Sequence, residues 1–178
     1  MINKIKVSAE NKKNKREGTE GTTFPVPNLT KKIKGDISIY SNISHKLSKE
    51  QIINKAIRFH QEGNILEAKK YYKYCIKKGF NDPTMFSNYG IILKDLDKSK
   101  EAEIYIRKAI EIDPKFYKAH LNLGIILRDL GKLKEAEEYT RKAIELKPDL
   151  LEAYINMGLI LKDLRKLENA EIFTRKAL

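Results

Sequence analysis

The side chains able to do chemistry fall into a scattered group and a periodic one. The scattered group is small. His45, His60 and His120 lie far apart, none with a Cys or second His at metal-ligand spacing, and Cys75 is the sole cysteine. One thiol excludes an intramolecular disulfide framework and suits a reducing compartment. No phosphate-cradling glycine loop, nucleophile elbow or zinc motif is present. The periodic group is larger and recurs every 34 residues: Asn54, Asn88, Asn122 and Asn156; Ile57, Ile91, Ile125 and Leu159; His60, Lys94, Arg128 and Lys162; Gln61, Asp95, Asp129 and Asp163. Carboxylates repeated at one spacing sit in like environments, whereas acid–base catalysis needs an acid and a base in distinct ones. These residues read as no enzyme, with no cofactor and no metal. An asparagine amide instead offers two donors and an acceptor, which match the backbone of an extended peptide whatever its sequence. An apolar row beside it marks a contact surface. The charged rows either steer and select a partner or pair with each other, a contribution typically well under ~1 kcal/mol.

The same 34-residue step organises the elements that carry these columns. Gly124 falls on Gly90 and Gly158, Leu127 on Leu93 and Leu161, Ala136 on Ala102 and Ala170, Ala143 on Ala109 and Ala177, and Pro148 on Pro114. A fixed period of this size is the signature of a solenoid whose repeats are single supersecondary units. Gly124 and Ala136 mark where two helices approach closely; Gly131 and Pro148 mark the turns. The pattern resembles the tetratricopeptide repeat, with its Leu-Gly pair, central Ala, second Ala and terminal Pro. The expected fold is therefore all-α, an α-solenoid of antiparallel helix pairs wound as a right-handed superhelix. First helices are expected near 83–96, 117–130 and 151–164, second helices near 99–112, 133–146 and 167–177. A degenerate first repeat opens on the capping box Ser48-Lys49-Glu50-Gln51. There Ala56 replaces the glycine, Gly63 makes the turn, Ala68 and Cys75 hold the small positions, and Phe80 stands where Pro is expected, which leaves its exit turn in doubt. Cys75 reads as a small buried side chain. Asp97 and Arg165 replace Gly131 in the flanking repeats, although neither takes a left-handed backbone as readily as Gly. The domain plan is a basic, disordered arm over 1–47 and a solenoid over 48–178. Its repeats are 49–82, 83–116, 117–150 and an incomplete 151–178.

Turning 100° per residue puts His120, Leu123, Gly124 and Leu127 on one side of a first helix. Their counterparts are Phe86, Tyr89, Gly90 and Leu93, and Tyr154, Met157, Gly158 and Leu161. This is the packed side, and it gives His120 a core role. Lys118, Asn122, Ile125 and Asp129 lie opposite, flanked by Leu121 and Arg128. The resemblance implies that first helices line a concave groove, so the four periodic columns are expected there. The asparagine column is similar to the ladder in the repeat domain of O-linked N-acetylglucosamine transferases; its plainer alternative is bonding to neighbouring helices. The family's carboxylate clamp for chaperone tails wants Lys and Asn where this chain has Ser87, Leu121, Ile91 and Ile125, which disfavours that ligand. On the second helices, Glu103, Glu137 and Glu171 precede Arg107, Arg141 and Arg175 by four residues, the favourable order for pairing within a helix, and this ladder reads as a solvated outer face.

The net charge of +12 is unevenly spread. Residues 1–48 carry +6, residues 49–82 a further +4, and the remaining 96 residues only +2. The basicity therefore belongs to the arm and first repeat. An arm of this kind binds nucleic acid or acidic surfaces or is simply solvated; lacking interleaved aromatics for base stacking, it reads as a solvated tail. Phe24-Pro25-Val26-Pro27 reads as a linker, and Ile37–Ile43 as a short turn on the first repeat. No apolar run long enough to span a membrane and no secretory signal is found, so the cytoplasm is the default location. The expected function is a protein-interaction scaffold taking an extended peptide or a helix in the groove. The alternatives are the recognition half of a larger glycosyl-, sulfo- or methyltransferase and, after it, nucleic-acid binding through the arm. With no polar capping helix beyond 167–177, association of copies through that end is a further expectation.

Overall fold

Residues 47–177 are described by the structure, a computed structural model; the readings of the N-terminal arm, the proline segment and the Ile37–Ile43 turn lie outside them. In chain order the helices are α1 (Lys49–Gln61), α2 (Ile65–Lys77), α3 (Pro83–Lys94), α4 (Ser99–Ile112), α5 (Tyr117–Asp129), α6 (Leu133–Leu146), α7 (Leu151–Asp163) and α8 (Leu167–Arg175). The described residues contain no strand. Helices pack as consecutive pairs, α1 on α2 through to α7 on α8. Each second helix then packs on the following first helix, and successive first helices touch one another. This is a solenoid, with each unit held by its sequence neighbours.

The repeat is visible in how each first helix stops. Gly63, Asp97, Gly131 and Arg165 all adopt positive φ, at 73°, 58°, 73° and 60°. In each case the next residue's N–H reaches back five positions: Asn64 to Phe59, Lys98 to Leu93, Lys132 to Leu127 and Lys166 to Leu161, at 2.8–2.9 Å. These are Schellman-type ends. Asp97 and Arg165 hold the left-handed conformation without glycine's freedom, in the same turn and with the same five-back bond as the two glycines. The start of α1 is the expected capping box, with Ser48 Oγ accepting from Gln51 N–H at 3.2 Å and Ser48 N–H donating to Gln51 Oε1 at 2.8 Å. The exit of the first repeat, in doubt for want of a proline at Phe80, uses other means. Gly79 takes φ 70°, and Asp82 then caps α3 by accepting from Met85 N–H at 2.6 Å, with Pro83 at the helix start.

The packed stripe of the first helices is as expected for Phe86, Tyr89, Leu93, His120, Leu123, Leu127, Met157 and Leu161, all buried. His120 Nε2 lies 2.9 Å from the Pro114 carbonyl and its ring stacks on Tyr139, a core arrangement. Cys75 is fully buried, and burial pushes its thiol up to about 12, so it stays protonated. A second buried stripe was not read from the sequence: Met85, Ala119 and Ala153 with Ile92, Ile126 and Ile160, all 0% exposed. It arises because an internal first helix meets both its own partner and the preceding repeat. On α1 the corresponding residues are Gln51 and Arg58, both exposed.

The outer ladder forms more than pairs within a helix. Glu103 accepts from Arg107 at 2.8 Å and from Lys132, in the next repeat, at 2.9 Å. Glu137 does the same with Arg141 at 2.7 Å and Lys166 at 2.9 Å. Arg107 also reaches Glu135 at 2.8 Å and the Tyr139 hydroxyl at 2.8 Å. These carboxylates are clasps between repeats, and their side chains are only 13% and 18% exposed. Desolvation pushes the Glu103 carboxyl up, but hydrogen bonds from Lys132 and Arg107 outweigh it and hold it below the usual range. The Lys166 bond holds Glu137 low against its desolvation. A depressed folded pKa means stability that is full above the unfolded value, about 4.3, and is lost as pH falls through the folded value. Thermal unfolding at pH 7, 5 and 3 should show wild type losing stability mainly below pH 5. Glu103→Gln should start lower at pH 7 and fall less steeply in acid; parallel acid slopes for the two proteins would remove the clasp as a source of stability.

Candidate functional site

The residues read as groove-facing are not all brought together. Ile57, His60 and Gln61 of α1, Thr84, Ser87 and Asn88 of α3, and Phe116, Lys118 and Asn122 at α5 line one concavity of about 370 Å³. Asn54 lines an adjoining recess of about 410 Å³ that shares Ile57 and Thr84 with the first, so the two are continuous along α1 and α3. Leu159 and Lys162 face a different recess, on α7 and α8. Ile91, Ile125, Asn156, Lys94, Arg128, Asp95, Asp129 and Asp163 line neither the concavity nor its neighbour.

The asparagine column is graded. Asn54 is exposed, Asn88 and Asn122 are half-buried, and Asn156 is buried. Three of the four bond to the stack. Asn88 donates to the Tyr72 hydroxyl at 3.2 Å, and Asn156 donates to Thr140 Oγ1 at 2.8 Å, from the same position relative to the preceding second helix. At that position Asn122 would meet Ile106, which has no acceptor, and it donates sideways to Ser87 Oγ at 3.0 Å instead. Asn156 also accepts from Arg128 Nη1 at 3.3 Å, so both ends of its amide are engaged. Asn88 and Asn122 each keep a second N–H and the carbonyl oxygen beside the concavity, with no bond from a described residue.

The other columns are similarly divided. Ile57, Ile91 and Ile125 are half-buried against neighbouring repeats, and only Leu159 is exposed. Lys94 lies 3.7 Å from Asp95 and 3.9 Å from Asp129, and Arg128 lies 3.6 Å from Asp129. These loose pairs are the mutual pairing weighed as the alternative to partner contact. Lys118 and Lys162 pair with no described carboxylate. Burial holds His60 below its ordinary value against the upward pull of Asp95, so it is neutral around pH 7, its ring edge-on to Tyr72. Thr84, Ser87 and Phe116 were missed as groove residues. They belong to no periodic column of one chemistry, and only the packing of three repeats reveals that they converge. No group of three or more His, Cys, Asp and Glu among the described residues is arranged to hold a metal, and no helix there is long and apolar enough to cross a membrane.

Residues 83–116 and 151–178 match one family model, and residues 117–150 another, both described as tetratricopeptide repeat. The matches are contiguous and span more than half of the chain. The chain belongs to the tetratricopeptide-repeat family. Among solved structures, this tetratricopeptide-repeat chain is similar to MamA, with a TM-score of 0.69 and 21% identity over 83% of this chain and 90% of that one. It is also similar to YrrB, described as a TPR protein with an unusual peptide-binding site, at a TM-score of 0.66 and 19% identity over 84% and 79% of the two chains. A third is the first TPR of Spaghetti (RPAP3), bound to the HSP90 peptide SRMEEVD, at a TM-score of 0.61 and 23% identity over 66% and 93%. At these identities the likeness is one of fold. No curated protein matches the sequence.

Proposed function

We propose that this tetratricopeptide-repeat chain is a protein-interaction scaffold that takes an extended peptide in the concavity formed by α1, α3 and α5. The observation carrying the reading is the convergence there of Asn88 and Asn122, each with an uncommitted N–H and carbonyl, beside Ile57 and Phe116 and the unpaired cation of Lys118. Amides of this kind read a peptide backbone, the two apolar side chains receive a side chain, and the lysine favours an acidic group nearby. That two structural neighbours are described as peptide-binding is in keeping with this. Asn54 extends the same surface. Asn156, Lys94 and Arg128 are assigned to holding the stack. The arm on which nucleic-acid binding would rest lies outside the described residues, and nothing among them favours the transferase alternative.

The test is affinity capture with the full chain and with an Asn88→Ala/Asn122→Ala variant, each checked for folding by circular dichroism. A partner retained by wild type and lost by the double variant supports the groove. A partner captured equally by both places recognition elsewhere.

A further inference from the structure

Five of the eight large apolar side chains exposed among the described residues, Leu151, Ile155, Leu159, Leu167 and Ile172, are on α7 and α8. Inside the stack the counterparts of four of them, Tyr117, Leu121, Ile125 and Leu133, are buried or half-buried, whereas Ile104, the counterpart of Ile172 two repeats back, is itself exposed. Leu121, which aligns with Ile155, is 8% exposed, clustered with Leu150 at the end of its own repeat and Ala153 of the next. Thr140 is wholly buried beneath Asn156, while its counterpart Thr174 is exposed. The α7–α8 face is thus built like an internal junction, with an apolar recess of about 250 Å³ between Ile155, Leu159 and Leu167.

What fits this face is written on α7 itself. Glu152, Ile155, Leu159 and Lys162 fall within roughly 80° of one another on the helix. The two apolar residues are 46% and 42% exposed, and both charged residues are exposed without an ion pair to any described residue. Laid antiparallel on a second copy of itself, the stripe is self-complementary. Glu152 meets Lys162 of the second copy, Ile155 meets Leu159, and each contact occurs twice about a two-fold axis near Met157, as an isologous interface requires. No other first helix has this property. The same positions on α5 are Lys118, Leu121, Ile125 and Arg128, basic at both ends, and on α3 they are Thr84, Ser87, Ile91 and Lys94. On α1 the apolar Ile53 is buried. We propose that the α7–α8 face is a homodimer interface in which the Glu152–Ile155–Leu159–Lys162 stripes of two copies pair antiparallel.

Sedimentation velocity of the full chain over a concentration series tests this. Wild type should be in monomer–dimer equilibrium. Glu152→Lys places two lysines together at both ends of the interface and should weaken dimerisation about tenfold or more, as should Lys162→Glu. The double variant E152K/K162E swaps the charges and should restore dimerisation, a recovery that misfolding or loss of apolar contact would not produce. A monomeric wild type, assembly beyond the dimer, indifference to the single reversals, or a double variant that stays monomeric would each overturn the proposal. None of these substitutions touches the concavity of α1, α3 and α5, so peptide capture should be unchanged throughout.

Discussion

Gly124→Ala should lower the unfolding free energy by about 2 kcal/mol, in the range for overpacking a filled interior, although alanine is favoured over glycine in a helix by nearly 1 kcal/mol. A Cβ at Gly124 would run into Thr140 Oγ1 and sit 3.3 Å from both the Ala136 carbonyl oxygen and Asn156 Nδ2. Thr140 cannot easily give way. It is 0% exposed, its β-branched side chain has few rotamers, and its hydroxyl accepts the Asn156 amide at 2.8 Å. The added methyl therefore forces α5 away from α6 or breaks the bond to α7. Gly158 supplies the control. A Cβ there would meet Thr174 Oγ1 at 2.6 Å, but Thr174 is exposed on the last described helix, and its hydroxyl donates only to the Ala170 carbonyl of its own helix at 2.9 Å, a bond it can exchange for water. Urea unfolding should rank G124A well below G158A, and Thr140→Ala should relieve much of the G124A penalty by coupling between contacting residues. Equal stability of G124A and wild type would mean that the helices are not packed this closely.

Asn156→Ala should be the second large loss, again about 2 kcal/mol, because it strands a buried hydroxyl and withdraws the acceptor from Arg128. With both amide ends engaged and the side chain 3% exposed, little of this residue is left for a ligand. Asn54→Ala, at the exposed end of the same column, should change stability by no more than ~0.5 kcal/mol. Thermal unfolding of the two single variants at one pH decides the matter. If both were neutral, the Thr140–Asn156–Arg128 chain would not be holding repeats together. If both cost the same, the column would have one structural role throughout, and Asn54 could not be grouped with a binding surface.

The grading of that column is where the residues alone fell short. Four asparagines at equal spacing look equivalent in sequence, yet each meets a different neighbour: Tyr72 for Asn88, Ser87 for Asn122, Thr140 for Asn156. The partner sits 16 residues back for two of them and 35 for the third, separations that no single helix wheel displays. The outer carboxylates misled in the same way. Glu103 and Arg107 were legible as a pair within one helix, but Lys132 closes on Glu103 from the following repeat, so a face read as solvated is half a clasp. Conversely, the turn positions were fully legible, because Gly63, Asp97, Gly131 and Arg165 share a register fixed by local backbone geometry.

Local periodicity determined the helix-pair units, their turns, the small residues at Gly124 and Ala136, and the packed stripe along each first helix, since each depends on neighbours within one repeat. The stacking of repeats decided the rest. A first helix touches its own partner, the repeat before it and the repeat after it, and only that threefold contact settles whether an asparagine is a bond in the stack or an amide at a groove. It also brings Thr84, Ser87 and Phe116 to one concavity, and leaves Ile155 and Leu159 exposed where Leu121 is covered.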